Sequence, residues 1–158
     1  MTPNFIRVLA NSPKSLEGFL GLYRALGGIP LDKATQERIA LATAESNACD
    51  YCVSAHTAIG RHAGLSNEEM RLNRQGGAGD AKNTAFVSFA RAVNDNLGEI
   101  TREEFDGARK AGLTDAEIVE VITVVALNIF TNILGKATQV EIDFSKVALL
   151  DEPARIAA

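Results

Sequence analysis

The 158-residue sequence is poor in cysteine, in excess positive charge and in long apolar runs, and each shortage closes off a class of protein. Two cysteines permit at most one internal disulfide, too few for a small secreted scaffold built on staples. Sixteen Lys and Arg against twenty Asp and Glu give a net charge of −4, so no basic field draws nucleic acid. The most apolar window, Val119 to Leu134, is broken by Glu120, Thr123, Asn128, Thr131 and Asn132. A membrane span takes roughly 20 mostly apolar residues, so this window reads as a buried core helix and no membrane partner is expected. The first residues, Met1 to Arg7, lack the charged stretch and apolar run of a signal peptide. No segment alternates with period two between hairpin turns, and no internal repeat is present. A soluble, reducing, cytoplasmic setting is the expectation. There a close cysteine pair points to chemistry or metal rather than to a staple.

What is present is a globular composition, 46% hydrophobic and 23% charged, with helical punctuation throughout. Ser12-Pro13 opens a segment whose Leu16, Phe19, Leu20, Tyr23 and Leu26 recur at helical spacing, and Gly27-Gly28 ends it before Pro30. Asp32 can cap a helix running to about Ala48, in which Ala40, Ala42 and Ala44 allow close packing. Capping boxes stand at Ser66…Glu69, Thr101…Glu104 and Thr114…Glu117, and another helix begins near Asp80. The last helix is apolar nearly all round, which predicts a central position. Gly76-Gly77-Ala78-Gly79 lacks the strand and the Lys-Ser/Thr of a phosphate cradle and reads as a flexible connection. The spacing predicts one all-α domain over 1–158, a bundle of about seven helices, with 149–158 a peripheral tail outside the core. Val140 to Phe144 reads as extended chain leaving the last helix.

One stretch stands apart, Glu45-Ser46-Asn47-Ala48-Cys49-Asp50-Tyr51-Cys52-Val53-Ser54-Ala55-His56. With only a Ser-Asn-Ala hinge before it, a helix starts at or just before Cys49. Cys49 and Cys52 share a face of that helix and His56 lies one turn further, above Val53, Ile59, Gly60 and Ala63 on an inward stripe. A thiol in a first helical turn meets unpaired N–H groups and the positive end of the dipole, which favour thiolate. An imidazole one turn away can take the thiol proton, and a second thiol three residues off can attack a sulfenic acid formed on the first. Folding the two helices back about Asn47 or Ala48 brings His56 opposite positions 38–40, give or take a turn, where Glu37 is the only carboxylate. A Glu…His contact would fix the tautomer and raise imidazole basicity.

Zinc is the rival use of the same residues, with Cys49, Cys52 and His56 as ligands and Glu37 or water as the fourth. Haem attachment is excluded because Val53, not His, follows Cys52, and a thioredoxin reading lacks its βαβ context. Glu45 reads as a solvated helix carboxylate and His62 as a surface residue. Tyr51 either lines the entrance or packs. Asn128 and Asn132, one turn apart on an apolar helix, either face the site or bridge subunits.

Glu37, followed by Cys49-x-x-Cys52-x-x-x-His56, resembles the signature of the alkyl hydroperoxidase D and carboxymuconolactone decarboxylase superfamily, most strongly over Gln36 to Leu65. The resemblance implies an all-α fold assembled as a trimer or hexamer. It also implies a thiol-dependent peroxidase in which Cys52 forms the sulfenic acid, Cys49 is proton donor and disulfide partner, and His56 and Glu37 relay protons. A hydroperoxide and a dithiol or protein reductant would be its partners, with no metal or organic cofactor. Alkyl hydroperoxidase D itself has a histidine where this chain has Tyr51, so that step of its relay does not carry over. Lactone decarboxylases lack the cysteine pair, which sets a decarboxylase using His56 as base second. A non-catalytic redox-sensing module stands as the third reading.

Overall fold

The computed structural model describes residues 2–150. They form eight helices: α1 (Asn4–Leu9), α2 (Pro13–Leu26), α3 (Lys33–Ser46), α4 (Asp50–His62), α5 (Asn67–Arg74), α6 (Ala81–Asp95), α7 (Arg102–Lys110) and α8 (Asp115–Ala137). No strand occurs among the described residues. The helix beyond the expected seven is α1, whose six residues are too few to show a helical period.

Most helix starts follow from the cap residues. Asp32 Oδ1 accepts from the Thr35 N–H at 2.7 Å and Asp80 Oδ1 from the Asn83 N–H at 2.9 Å. Thr101/Glu104 and Thr114/Glu117 form complete capping boxes. The third box is one-sided. Ser66 Oγ accepts from the Glu69 N–H, but the Glu69 carboxylate turns to Arg38, Asn73 and the Gly79 N–H instead. That same pull ties down the glycine loop read as flexible. Gly79 donates to Glu69 at 2.8 Å, and a methyl group on it would come within 2.9 Å of that carboxylate.

Helix α3 is the hub, packed against α4, α5, α6 and α8. Ala40, Ala42 and Ala44 let these neighbours approach, while Ile39 and Leu41 are wholly buried. One apolar cluster joins Ile39 to Phe86, Phe89, Val93, Val121 and Val125. Each such side chain contributes about 1.5–3 kcal/mol on burial. A second cluster surrounds the cysteines, with Phe5, Leu9, Tyr51, Val53 and Ala55.

Two expectations need correction. Helix α8 is long and apolar enough to cross a membrane by length and composition, and it packs on α2, α3, α4 and α6. It is not central, however: Val119 and Ile133 are each 62% exposed, and Ile122 and Phe130 lie uncovered between them. Helix α2 likewise buries only Leu26 fully, leaving Leu20 and Tyr23 of its apolar stripe exposed. Among the described residues, no further helix covers either face. Lastly, Leu149 is not peripheral; after α8 the chain runs without helix to residue 150, and Val140, Ile142, Phe144, Val147 and Leu149 pack on the cysteine cluster. Residues 151–158 of the expected tail lie outside the described residues.

Candidate active site

The site grows out of the α3–α4 turn. Asn47 closes α3, and Ala48 adopts φ +49°, a left-handed conformation that reverses the chain in one residue without glycine. The Cys49 N–H then bonds the Ala44 carbonyl at 2.9 Å. Asn47 Nδ2 reaches Asn132 Oδ1 at 2.8 Å and Asn94 Oδ1 at 3.0 Å, and Lys136 Nζ donates to the Asn47 carbonyl at 2.8 Å. The turn is therefore clamped from α6 and α8.

Cys49 is the N-cap of α4 rather than its first helical residue; its sulfur accepts from the Cys52 N–H at 3.3 Å. Cys49 and Cys52 are joined as a disulfide, with Cα atoms 5.2 Å apart. Both are buried, 1% and 3% exposed, but only Cys52 lines the adjoining cavity. Both sulfurs lie against Gly135 of α8, where a methyl group would sit 3.7 and 3.9 Å from them.

His56 and Glu37 are brought together across the helix pair, Nδ1 to Oε2 at 2.7 Å. Glu37 is wholly buried, and its other oxygen meets Lys33 Nζ at 2.8 Å. Burial pushes the Glu37 carboxyl up, but His56 and Lys33 together outweigh it and hold the group below the ordinary carboxylate value. With Nδ1 engaged by Glu37, His56 has Nε2 left for exchange with the cavity it lines, where Cys52 stands one turn earlier on the same helix.

The cavity has a volume of about 330 Å³. Phe5, Phe19, Tyr23, Leu26, Val124 and Leu127 are among the apolar residues that line it, so a ligand's body meets carbon while its reactive end meets Cys52, His56 and Glu37. Tyr51 also lines it. Its hydroxyl donates to Asp143 Oδ1 at 3.1 Å and accepts from the Phe5 N–H at 3.3 Å. Burial and the Asp143 carboxylate, against the Phe5 N–H, push the phenol up to about 12, so it stays protonated. Tyr51 thus pins α1 and the C-terminal segment beside the cysteines.

Of the asparagines left open, Asn128 faces the cavity and Asn132 serves the turn. Glu45 is not solvated; its side chain is 10% exposed, paired with Arg74 at 2.6 Å and accepting from the Leu150 N–H. His62 is exposed at the end of α4. Among the described residues no three His, Cys, Asp or Glu side chains are grouped to hold a metal ion. Sequence reasoning passed over Lys33 and Gly135. The i,i+4 spacing of Lys33 and Glu37 was one signal, and a glycine inside a long helix, costing about 1 kcal/mol against alanine, was the other.

The model of the carboxymuconolactone decarboxylase family matches residues 13–95, α2 through α6. No curated protein matches the sequence. Among solved structures, an uncharacterised peroxidase-related protein of a Silicibacter species is 25% identical, with TM-score 0.81 over 89% of this chain and 76% of that one. A peroxidase-related protein of Ralstonia eutropha with an alkylhydroperoxidase D core is 25% identical, with TM-score 0.82 over 90% of this chain and 78% of that one. A debrominase solved with 2,3,4-tribromopyrrole shares the fold at 18% identity, with TM-score 0.80 over 90% and 78% of the two chains.

Proposed function

The chain belongs to the carboxymuconolactone decarboxylase family, and on that premise we propose that it is a thiol-dependent peroxidase of the alkylhydroperoxidase D kind. The observation that carries this reading is one apolar cavity lined together by Cys52, half of a Cys-x-x-Cys pair, and by the hydrogen-bonded His56 and Glu37. A lactone decarboxylase has no use for a disulfide at its base, which is why the redox reading leads.

In the reduced protein, His56 takes the Cys52 proton and the thiolate attacks the distal oxygen of a hydroperoxide. The S–O bond forms as the O–O bond breaks, and Cys49 protonates the departing alkoxide. The Cys49 thiolate then attacks the Cys52 sulfenic acid; the S–S bond forms, the S–O bond breaks, and the oxygen leaves as water with the proton that His56 holds. Dithiol protein and hydroperoxide thus become disulfide protein, alcohol and water. An external dithiol supplies two electrons and two protons to close the cycle. Because Cys52 alone lines the cavity, its sulfur is the one that meets both peroxide and reductant.

The carbon-rich wall favours organic hydroperoxides over hydrogen peroxide. Each methylene buried is worth about 0.8 kcal/mol, or roughly fourfold in kcat/KM. The same reading includes a homo-oligomer whose contacts cover the exposed stripe of α8. The test is peroxide consumption with a dithiol reductant across a series of hydroperoxides. Cys52→Ser is expected to abolish turnover, and undiminished activity in that variant would end the assignment.

A further inference from the structure

The charged chain that ends on His56 begins at the first residue of α3. Lys33 Nζ lies 2.8 Å from Glu37 Oε1 while His56 Nδ1 lies 2.7 Å from Oε2, so each carboxylate oxygen holds one nitrogen. The Glu37 side chain is 3% exposed and that of Lys33 47%, with its ammonium also 5.5 Å from the centre of the Tyr23 ring. A buried carboxylate facing only an imidazolium has an easy way to shed its charge, which is to take the ring proton. A permanent cation on the second oxygen removes that way out.

We propose that Lys33 is a positioning residue of the site, keeping Glu37 ionised whatever protons His56 carries, so that Glu37 orients the ring without consuming its proton. The inference rests on the reading of His56 as the proton carrier for the cysteines. Five titratable groups share the site with Glu37: Lys33 on α3, Tyr51, Cys52 and His56 on α4, and Tyr23 on α2. Helix α8 brings Val124, Leu127 and Asn128 there, none titratable. Charged groups of the other helices packed on α3 are engaged elsewhere, Glu69 of α5 by Arg38, Arg91 of α6 by Asp95 and Lys82 by Glu117. Burial opposes the Lys33 charge, but the Glu37 carboxylate and Tyr23 raise its ammonium above the ordinary value, so it stays charged through the neutral range.

Infrared difference spectra of the full chain against pH follow the protonated Glu37 carboxyl, its band assigned by its loss in Glu37→Gln. In Lys33→Met, which keeps the stem and removes the charge, the band is expected to persist to higher pH than in the parent. The acid edge of kcat/KM is expected to move the same way, and Lys33→Arg to restore both. Lys33→Gln, checked by circular dichroism, serves as the second variant should the Met variant misfold. A Glu37 band that titrates at the parent pH in the uncharged variants would overturn the inference and leave Lys33 an ordinary surface partner. If no form, parent included, consumes peroxide, the peroxidase reading falls, and the infrared shift still decides the role of Lys33.

Discussion

At the scale of single residues, the site depends on which atoms have room beside the sulfurs. Gly135 of α8 lies against the cysteine pair, and its missing side chain leaves ordinary contact distance for one methyl group. Gly135→Ala should therefore be tolerated, with the gain in helix propensity, about 1 kcal/mol, offsetting any tightening. Gly135→Val should drive a branch into the sulfurs and cost about 1–3 kcal/mol. Urea titration of both variants checks the pair, and equal stability would show that α8 does not constrain the cysteines. Tyr51 shows the other side of this scale. It stands between the cysteines, yet its hydroxyl is spent on Asp143 and the Phe5 backbone, which makes it a clamp.

The element that matters most is the α3–α4 pair. Glu37 and His56 each stand nine residues from the Ser46–Asn47 junction, and two antiparallel helices place such positions side by side. Counting from Asn47 or Ala48 narrows the partner of His56 to positions 38–40 within a turn, and residue type completes the choice, because Glu37 is the only carboxylate there. The register depends on Ala48 holding a left-handed conformation that costs a non-glycine residue roughly 1–2 kcal/mol. Ala48→Gly should relieve this strain, less the entropy glycine loses on folding, for a net gain of about 0.5–1 kcal/mol. Thermal unfolding should show a midpoint a few degrees higher. A lower midpoint would mean that the Ala48 methyl group packs usefully. What counting missed was the reciprocal half of the Ser66 cap, because Arg38, remote in sequence, competes for Glu69.

For the molecule as a whole, two consequences follow from charge and from apolar surface. Glu37 is buried, Glu69 half-buried and Asp95 exposed, and desolvation raises each carboxyl. Their partners win: His56 and Lys33 at Glu37, Arg38, Asn73 and the Gly79 N–H at Glu69, Ser46, Asn94 and Arg91 at Asp95. All three are lowered in the folded state, so their stabilisation is complete above the ordinary carboxylate values of 4.5 and 3.8. It is lost as pH falls below those values through the folded ones. Denaturation midpoints should accordingly change little between about pH 6 and 8 and drop below about pH 4.5. A midpoint constant down to about pH 3 would contradict the pairing. The uncovered α8 stripe bears on assembly. Ile133→Asp should shift the proposed oligomer toward monomer in sedimentation velocity with helix content unchanged, since a carboxylate there would be desolvated in any helix contact.

Much of this protein was settled by short-range rules. Cap residues, helical spacing and a glycine-free hinge decide where the helices run, that both cysteines share the start of one, and that Glu37 falls opposite His56. These need only a few neighbouring residues and the geometry of one turn. Which side of α8 is left uncovered, that Gly135 meets the sulfurs, that Asn128 and not Asn132 enters the cavity, and that residues 140–149 wrap the cysteine cluster were decided by the tertiary structure alone. Packing between segments far apart in the chain obeys shape and volume, and neither quantity is written in local periodicity.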